Sequence, residues 1–180
     1  MAPYDIRLVG DPVLRQPATE VTEIDGRLAS LAEDMITTMY EAPGIGLAAP
    51  QVGVQKRMFV YDIHDETGSH VIINPVIRET RGEWVFEEGC LSVPDLSWEI
   101  VRPAEVHLSA VDLDGNEVSF EASELLARMF LHEVDHLDGV LLLERLDPDQ
   151  ARQAKRTLRD RALAAESEPP RRRLRLPGRA

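Results

Sequence analysis

Apolar and polar positions alternate with two different periods along the chain, and the first long pattern is helical. It occupies residues 25–44, "DGRLASLAEDMITTMYEAPG". Asp25 can cap its start, and Pro43 and Gly44 can stop it at the other end. We therefore predict an amphipathic helix near the amino terminus. The apolar residues that recur at helical spacing are Leu28, Leu31, Ala32, Met35 and Met39.

Between Arg57 and Val111 the apolar runs become short and rich in β-branched and aromatic residues, which predicts strands. The runs are "RMFVYDI", "HVIINPVIR", "EWVFEE" and "AEVHLSAV", and they are separated by "DETGS", "TRG" and "VPD". Farther on, Asp114-Gly115 lies between alternating segments, which is a strong signal for a hairpin turn.

Helical spacing returns in "SELLARMFLHEVDHL", residues 123–137, and Gly139 suits the position after a helix end. A further helix is predicted at about 148–166, with Asp147 as its cap and Pro148 in its first turn. Helices near both ends with strands between them indicate an α+β fold. The chain has 180 residues, so we expect one domain over residues 1–168 that includes the last helix.

Composition restricts the function and the compartment. The chain is 43% hydrophobic and 29% charged, which is typical of a globular protein. No apolar run reaches the roughly 20 residues of a membrane-spanning helix, and the first residues do not resemble a signal or transit peptide. A single cysteine, Cys90, fits a reducing compartment. We expect a cytoplasmic protein without a membrane partner.

The charge is negative overall and uneven along the chain. The net charge is -12, which argues against DNA or general nucleic-acid binding. Residues 169–180 hold five arginines and no acid, so residues 1–168 carry 32 acidic against 15 basic side chains, a net charge of -17. We expect a disordered, solvated tail; the alternative is an electrostatic tether to an anionic surface such as RNA.

The stretch "RMFLHEVDHLDG", residues 128–139, carries the most specific chemistry. His132 and His136 are four residues apart, so on a helix both imidazoles can reach one metal ion. Glu133 lies beside them, and in the His-Glu-x-x-His pattern this glutamate handles the protons of a metal-activated water. The alternative is a helix with two hydrogen-bonded or exposed histidines that bind no metal.

A catalytic site of this kind needs a third protein ligand. No histidine follows His136, so the candidates are a downstream carboxylate, Glu144 or Glu166, or the thiolate of Cys90 in "EEGCLSVP". A thiolate suits zinc or ferrous iron. A lone cysteine is more often inert packing, and the residues alone leave the choice open.

Three segments together resemble the signature of the peptide deformylase family. They are "GIGLAAPQ" at 44–51, "EGCLS" at 88–92 and "HEVDH" at 132–136, in the family's order and at its usual separations. The resemblance extends over about residues 4–160, and the short gap between the first two segments is similar to the compact bacterial type. It implies a mixed, mainly antiparallel set of strands around a central metal-binding helix.

The resemblance also implies a role for each matching residue. The substrate would be the N-formyl-methionine of new polypeptides, and formate would be released. The backbone around Gly46 would pair with the extended peptide. The metal would be one divalent ion, Fe²⁺ in the cell, although the donors also suit Zn²⁺, Ni²⁺ or Co²⁺. The metal ligands would be Cys90, His132 and His136. Glu133 would be the general acid and base. The Gln51 amide and the Leu91 backbone N–H would donate hydrogen bonds to the substrate oxyanion.

Two further groups of residues follow from spacing and charge. Leu125 and Met129 lie on the same helical face as His132, and with Ile45 they can form an apolar slot for the methionine side chain; the alternative for both is core packing. Glu88 beside the cysteine needs a partner if it is folded inward, and we predict Arg102.

Two other functions remain open from the sequence. A zinc endopeptidase would share the helix motif, recruit a downstream glutamate and leave Cys90 unused. A non-catalytic metal-binding or ribosome-binding module would lack the base or the open ligand position. If the chain is a deformylase, we predict a salt-dependent contact with the ribosome. This contact would be made by the basic tail and the helix around Lys155, Arg156 and Arg159.

Overall fold

A computed structural model describes residues 4–167, with side chains described as far as residue 164. It contains three α-helices, seven strands and three short 3-10 helices in this part of the chain. The α-helices are α1 Gly26–Glu41, α2 Glu124–Leu137 and α3 Pro148–Ser167. The strands are β1 Gly46–Ala48, β2 Met58–Tyr61, β3 His70–Arg81, β4 Trp84–Cys90, β5 Val93–Arg102, β6 Glu105–Val111 and β7 Glu117–Ser123. The 3-10 helices are Pro12–Arg15, Ala49–Val52 and Leu142–Glu144.

The strands form two sheets, and every pair of named strands is antiparallel. One sheet has five strands in the order β1-β2-β3-β6-β7, and the other consists of β4 and β5. The predicted α+β class with mainly antiparallel strands is therefore confirmed. Because β1 stands at the end of its sheet, one of its edges has no strand partner within that sheet.

The predicted helices form, and their termination signals act as expected. The Asp25 carboxylate accepts the N–H groups of Arg27 and Leu28 at 3.1 and 2.9 Å, which satisfies donors that the first turn leaves unpaired. Gly139 follows the end of α2 with φ +73°, a left-handed conformation that glycine adopts without strain. Asp147 accepts the N–H groups of Asp149 and Gln150.

Helix α2 packs one face on the large sheet and thereby fixes the motif that it carries. Phe130 and Leu137 are fully buried in a cluster with Phe59 of β2 and Leu108 of β6. A second cluster joins Met35 and other residues of α1 to β1 and β2. The helix therefore cannot rotate without exposing this apolar face.

The strand boundaries correct two predictions. "VPD" was expected to break the strands, but Val93 is the first residue of β5, and the connection from β4 shortens to residues 91–92. "TRG" was also expected as a break, yet β3 continues to Arg81. The breaks predicted at "DETGS" and at Asp114-Gly115 are confirmed, with β6 and β7 paired antiparallel on either side of the latter.

The chain divides into two compact units, one that ends at Arg145 and one that begins at Leu146. The second unit contains α3, whose Lys155, Arg156 and Arg159 are exposed. The interpretation of residues 1–168 as one domain stays a prediction, and the basic tail at 169–180 lies outside the described residues. No helix in the described part of the chain is long and apolar enough to span a membrane.

Candidate metal centre and active site

Three predicted ligands meet where the end of β4 approaches α2. The ligand atoms of Cys90, His132 and His136 all lie within 4.8 Å of one another, and no other group with this arrangement occurs among the described residues. Cys90 Sγ is 3.2 Å from His136 Nε2. One thiolate and two imidazoles at this spacing can hold a single Zn²⁺ or Fe²⁺ ion. The donor set therefore fits a divalent transition metal.

The carboxylate of Glu88 orients His132. Its Oε1 lies 2.7 Å from His132 Nδ1, so Nδ1 carries a proton and donates it to the carboxylate, and Nε2 is the nitrogen available for a metal. A carboxylate behind a ligand histidine fixes the ring and raises its basicity. Glu88 is buried, with 6% of its surface exposed.

The predicted partners Glu88 and Arg102 are in contact deep inside the protein. Arg102 donates to both oxygens of Glu88, from Nη2 at 2.7 Å and from Nε at 2.8 Å. Arg102 Nη1 also donates to Asp135, a residue of the motif helix. Asp135 in turn accepts hydrogen bonds from Arg145. Each buried charge therefore has an opposite partner, which such charges require.

The surroundings of Cys90, His132 and Glu88 shift the pKa values of all three. Burial opposes the Cys90 thiolate, but His136 and His132 outweigh it and hold the pKa of the thiol well below its ordinary value. Burial likewise opposes a charged His132, but the Cys90 thiolate and the hydrogen bond with Glu88 hold its pKa well above the usual range. Burial also opposes the Glu88 carboxylate, yet His132 and Arg102 hold its pKa well below the usual range. A thiolate is the form that ligates metal.

Glu133 lies in a buried position beside the three predicted ligands. It is buried, and its burial raises the pKa of the carboxyl to about 7 even though His132 and His136 lower it. Its Oε2 has no hydrogen-bond partner among the described residues. A carboxyl with a pKa near neutrality can both accept and return a proton at physiological pH.

Gly46 provides the space that Glu133 occupies. A Cβ atom built on Gly46 would lie 2.9 Å from Glu133 Cδ and closer still to its Oε1. Any larger residue must therefore displace the carboxylate or the strand. The glycine in the loop is required by this close approach, in addition to the peptide contact that the sequence predicts.

Gln51 points its amide at the sulfur of Cys90. Gln51 Oε1 accepts the Ala48 N–H at 2.8 Å, which fixes the orientation of the amide. Its Nε2 donates to Ser92 Oγ at 3.2 Å and lies 3.8 Å from Cys90 Sγ. Leu91, the other predicted donor, lies in the turn after β4 and lines the same cleft. Both donors are therefore adjacent to the ligand cluster.

A cleft of about 650 Å³ opens over this cluster. The predicted slot residues Ile45, Leu125 and Met129 all line it. Leu125 is 39% exposed, whereas Met129 is 3% exposed and also packs into the core. The pure core interpretation of Leu125 is therefore wrong, and Met129 serves both the core and the cleft wall. The remaining predicted residues on the wall are Gly46, Gln51, Glu88, Cys90, Leu91, His132 and Glu133.

The structure does not bring Glu144, one of the two alternative third ligands, to the histidines. Glu144 pairs instead with Arg15 at 2.6 Å, and it belongs to no potential metal group among the described residues. The Glu166 side chain lies outside the described ones. Sequence reasoning missed Ser92 and Arg128, although Ser92 stands inside the "EGCLS" segment and Arg128 one helical turn before His132.

An α+β fold in which one thiol and two imidazoles could hold a metal ion at a cleft is typical of a metal-dependent hydrolase. Comparison with known proteins gives the family. The polypeptide deformylase profile matches residues 3–152. A peptide deformylase of Acidothermus cellulolyticus is 46% identical over 167 residues, which cover 93% of this chain and 92% of that protein. A peptide deformylase of Clostridium botulinum is 52% identical over 145 residues, which cover 81% of this chain and 97% of that protein.

Solved structures agree with the sequence comparisons. The crystal structure of a peptide deformylase from Legionella pneumophila has a TM-score of 0.86 and 40% identity, and it covers 93% of this chain and 100% of that one. The chain therefore belongs to the polypeptide deformylase family. It is a hydrolase that removes the N-formyl group from the amino-terminal formyl-methionine of new polypeptides and releases formate.

Proposed function

We propose that Cys90, His132 and His136 hold the divalent metal of this deformylase and that Glu133 moves the protons of the reaction. The observation that carries the proposal is the convergence of the three donors with a buried glutamate in one cleft. The unpartnered Oε2 of Glu133 supports it, because a buried carboxylate oxygen without a partner is costly unless water or substrate completes its hydrogen bonding.

A divalent metal held by these three residues would supply Lewis acidity to a water molecule and to the formyl oxygen. Glu133 accepts the proton of the attacking water, because its pKa of about 7 leaves much of it ionised at neutral pH. After attack on the formyl carbon, the same carboxyl gives the proton to the departing amine. Formate and the free amino terminus are then released.

Gln51 and Leu91 stabilise the oxyanion of this reaction. The Gln51 Nε2 group points toward Cys90, and its Oε1 is anchored by Ala48, so the donor is held in place before substrate arrives. Removing one such donor typically costs about 3 to 4 kcal/mol of transition-state stabilisation. Ser92 Oγ accepts from the same Nε2 and keeps it oriented between turnovers.

The peptide lies extended along β1. This strand ends the five-stranded sheet, and its Gly46 lines the cleft, so a formylated peptide can add to the free edge by backbone hydrogen bonds. The methionine side chain enters the slot formed by Ile45, Leu125 and Met129. Burial of its thioether against these apolar walls supplies the preference for the first residue.

Metal identity and cellular partners complete the proposal. A thiolate with two imidazoles suits ferrous iron, the ion that we infer for the cell. We infer a cytoplasmic location, where nascent formylated chains emerge. The arginines of residues 169–180, with Lys155, Arg156 and Arg159 of α3, steer the enzyme to the anionic ribosome.

One experiment separates the deformylase from a zinc endopeptidase. Anaerobically prepared protein is given a formyl-methionyl peptide with an internal scissile bond, and formate and internal fragments are measured in the same sample. The proposal predicts formate without fragments. Fragments without formate would support the endopeptidase, and neither product would support a non-catalytic metal-binding module.

A further inference from the structure

A second arginine, Arg128, belongs to the buried charge network behind the metal ligands. It lies on α2 one turn before His132, and only 3% of its surface is exposed. It also forms part of the cleft wall. A buried arginine in the wall of this cleft needs a physical reason, because burial of a guanidinium is costly unless it is paired.

Arg128 binds β4 at two points. Its Nη1 donates to Glu88 Oε2 at 2.8 Å, and its Nη2 donates to the Trp84 carbonyl at 2.6 Å. The guanidinium carbon lies 5.0 Å from the centre of the Trp84 ring and 5.9 Å from that of Phe86. These contacts attach one helix to one strand through a planar, directional group.

The two elements that Arg128 joins carry all three proposed ligands. Strand β4 ends at Cys90, and α2 carries His132 and His136. The separation of thiolate and imidazoles therefore depends on how β4 lies against α2. Arg128 fixes this relation because it contacts Glu88, which lies two residues before Cys90, and because it stands one helical turn before His132.

Arg128 also completes the hydrogen bonding of Glu88. Each carboxylate oxygen accepts two bonds: Oε1 from His132 and Arg102, and Oε2 from Arg102 and Arg128. Arg102 is shared with Asp135, whereas Arg128 turns its second nitrogen back to β4. Without Arg128, Glu88 can rotate about its link to Arg102 and carry Oε1 away from His132.

Packing alone does not explain an arginine here. Its Nε is buried with no hydrogen-bond partner among the described residues, a cost that an apolar side chain of similar length would avoid. We propose that Arg128 is a positioning residue of the metal centre, which acts through Glu88 on His132 and through Trp84 on the strand that carries Cys90. This inference rests on the proposed ligand set.

The test uses the full-length protein loaded with Co²⁺, whose visible absorption reports the ligands and their geometry. The variants are Arg128→Met, which keeps an unbranched apolar stem but removes the charge and the donors, and Arg128→Lys, which keeps the charge and one donor group. Arg81→Met is the control, because Arg81 is a surface arginine with 70% of its side chain exposed. Co²⁺ dissociation constants are measured by competition with a chelator, and thermal midpoints are recorded in parallel.

We expect the parent to bind Co²⁺ most tightly, Arg128→Lys less tightly and Arg128→Met least tightly. Arg128→Met binds Co²⁺ about tenfold or more weakly, as loss of a group behind a ligand typically does, and its visible bands shift. Arg81→Met equals the parent. If Arg128 only filled space, Met would bind Co²⁺ as the parent does and Lys would be the poorer variant, which would overturn the inference.

Two further outcomes also decide the inference. If Arg128→Met does not fold, Arg128→Lys carries the test: weaker Co²⁺ binding than the parent supports the inference, and equal binding with an unchanged spectrum overturns it. If the parent itself shows no thiolate-to-Co²⁺ charge-transfer band, the ligand set fails, and the inference falls with it. The parent spectrum therefore separates the two failures.

Discussion

Replacing Gly46 by alanine tests the close approach between β1 and the carboxylate of Glu133, the proposed proton acceptor. The new Cβ would lie 2.9 Å from Glu133 Cδ and 3.2 Å from Glu133 Cγ. Both distances are shorter than ordinary carbon–carbon contacts of about 3.5 to 4.0 Å. The Gly46 backbone is not in the left-handed region, so backbone strain does not contribute and the whole effect comes from this contact.

Relief of the contact moves Glu133 by roughly 1 Å, since its side chain can give way more easily than the strand. Over-packing of this kind costs about 1 to 3 kcal/mol of folding free energy, and the protein should stay folded. A 1 Å displacement of a catalytic group can cost about 100-fold in rate. We therefore expect kcat to fall about 100-fold with only a modest loss of stability.

The assay is formate release from a short formyl-methionyl peptide, with urea unfolding of the same samples. Gly26→Ala is the matched control, because a Cβ at Gly26 meets nothing within 4 Å and should leave the rate unchanged. A Gly46→Ala enzyme with kcat within about threefold of the parent would refute the placement of Glu133. A fall in rate explained entirely by unfolded protein would refute it as well.

Three more predictions address the ligand, the network and pH. Cys90→Ser should lower bound metal per chain or change the metal preference, since a hydroxyl replaces a soft thiolate; unchanged content and spectra would remove Cys90 from the ligand set. Arg102→Ala should cost about 3 to 5 kcal/mol of unfolding free energy and reduce metal retention; parent values for both would show the pair to be dispensable. Tyr40 and the His64 N–H hold the pKa of Asp62 below its ordinary value. The ionised carboxylate therefore contributes to folding stability above the ordinary carboxyl pKa, and this stability is lost as pH falls through the folded-state pKa. Asp62→Asn should therefore destabilise the protein at pH 7 and progressively less toward pH 3; an equal loss at both values would contradict this.

The helices and the placement of the two histidines on one helix could be predicted because their signals are local. Asp25 and Gly139 act within one turn of the helix ends that they cap, and the spacing of His132 and His136 is fixed by helix geometry. Cys90 could be joined to them only through the family resemblance. Nothing in the local sequence relates Cys90 on β4 to His132, which lies 42 positions later.

The missed features depend on long-range contacts. Pro94 and Asp95 predict a turn from their own propensities, yet both lie within β5, where Asp95 takes φ +60°. Proline is tolerated there because β5 pairs on one side only within its two-stranded sheet. Arg128 has the sequence pattern of a solvated helix position. Only the folded chain brings Glu88, 40 residues away, to its guanidinium.

The most direct test of the proposed mechanism is Glu133→Gln, with metal content and formate release measured on the same preparation. The three ligands are untouched, so bound metal per chain should equal that of the parent. The proton acceptor is lost, so turnover should fall by about 100-fold to 10,000-fold, the usual contribution of general acid–base catalysis. Turnover close to that of the parent at equal metal content would contradict the account.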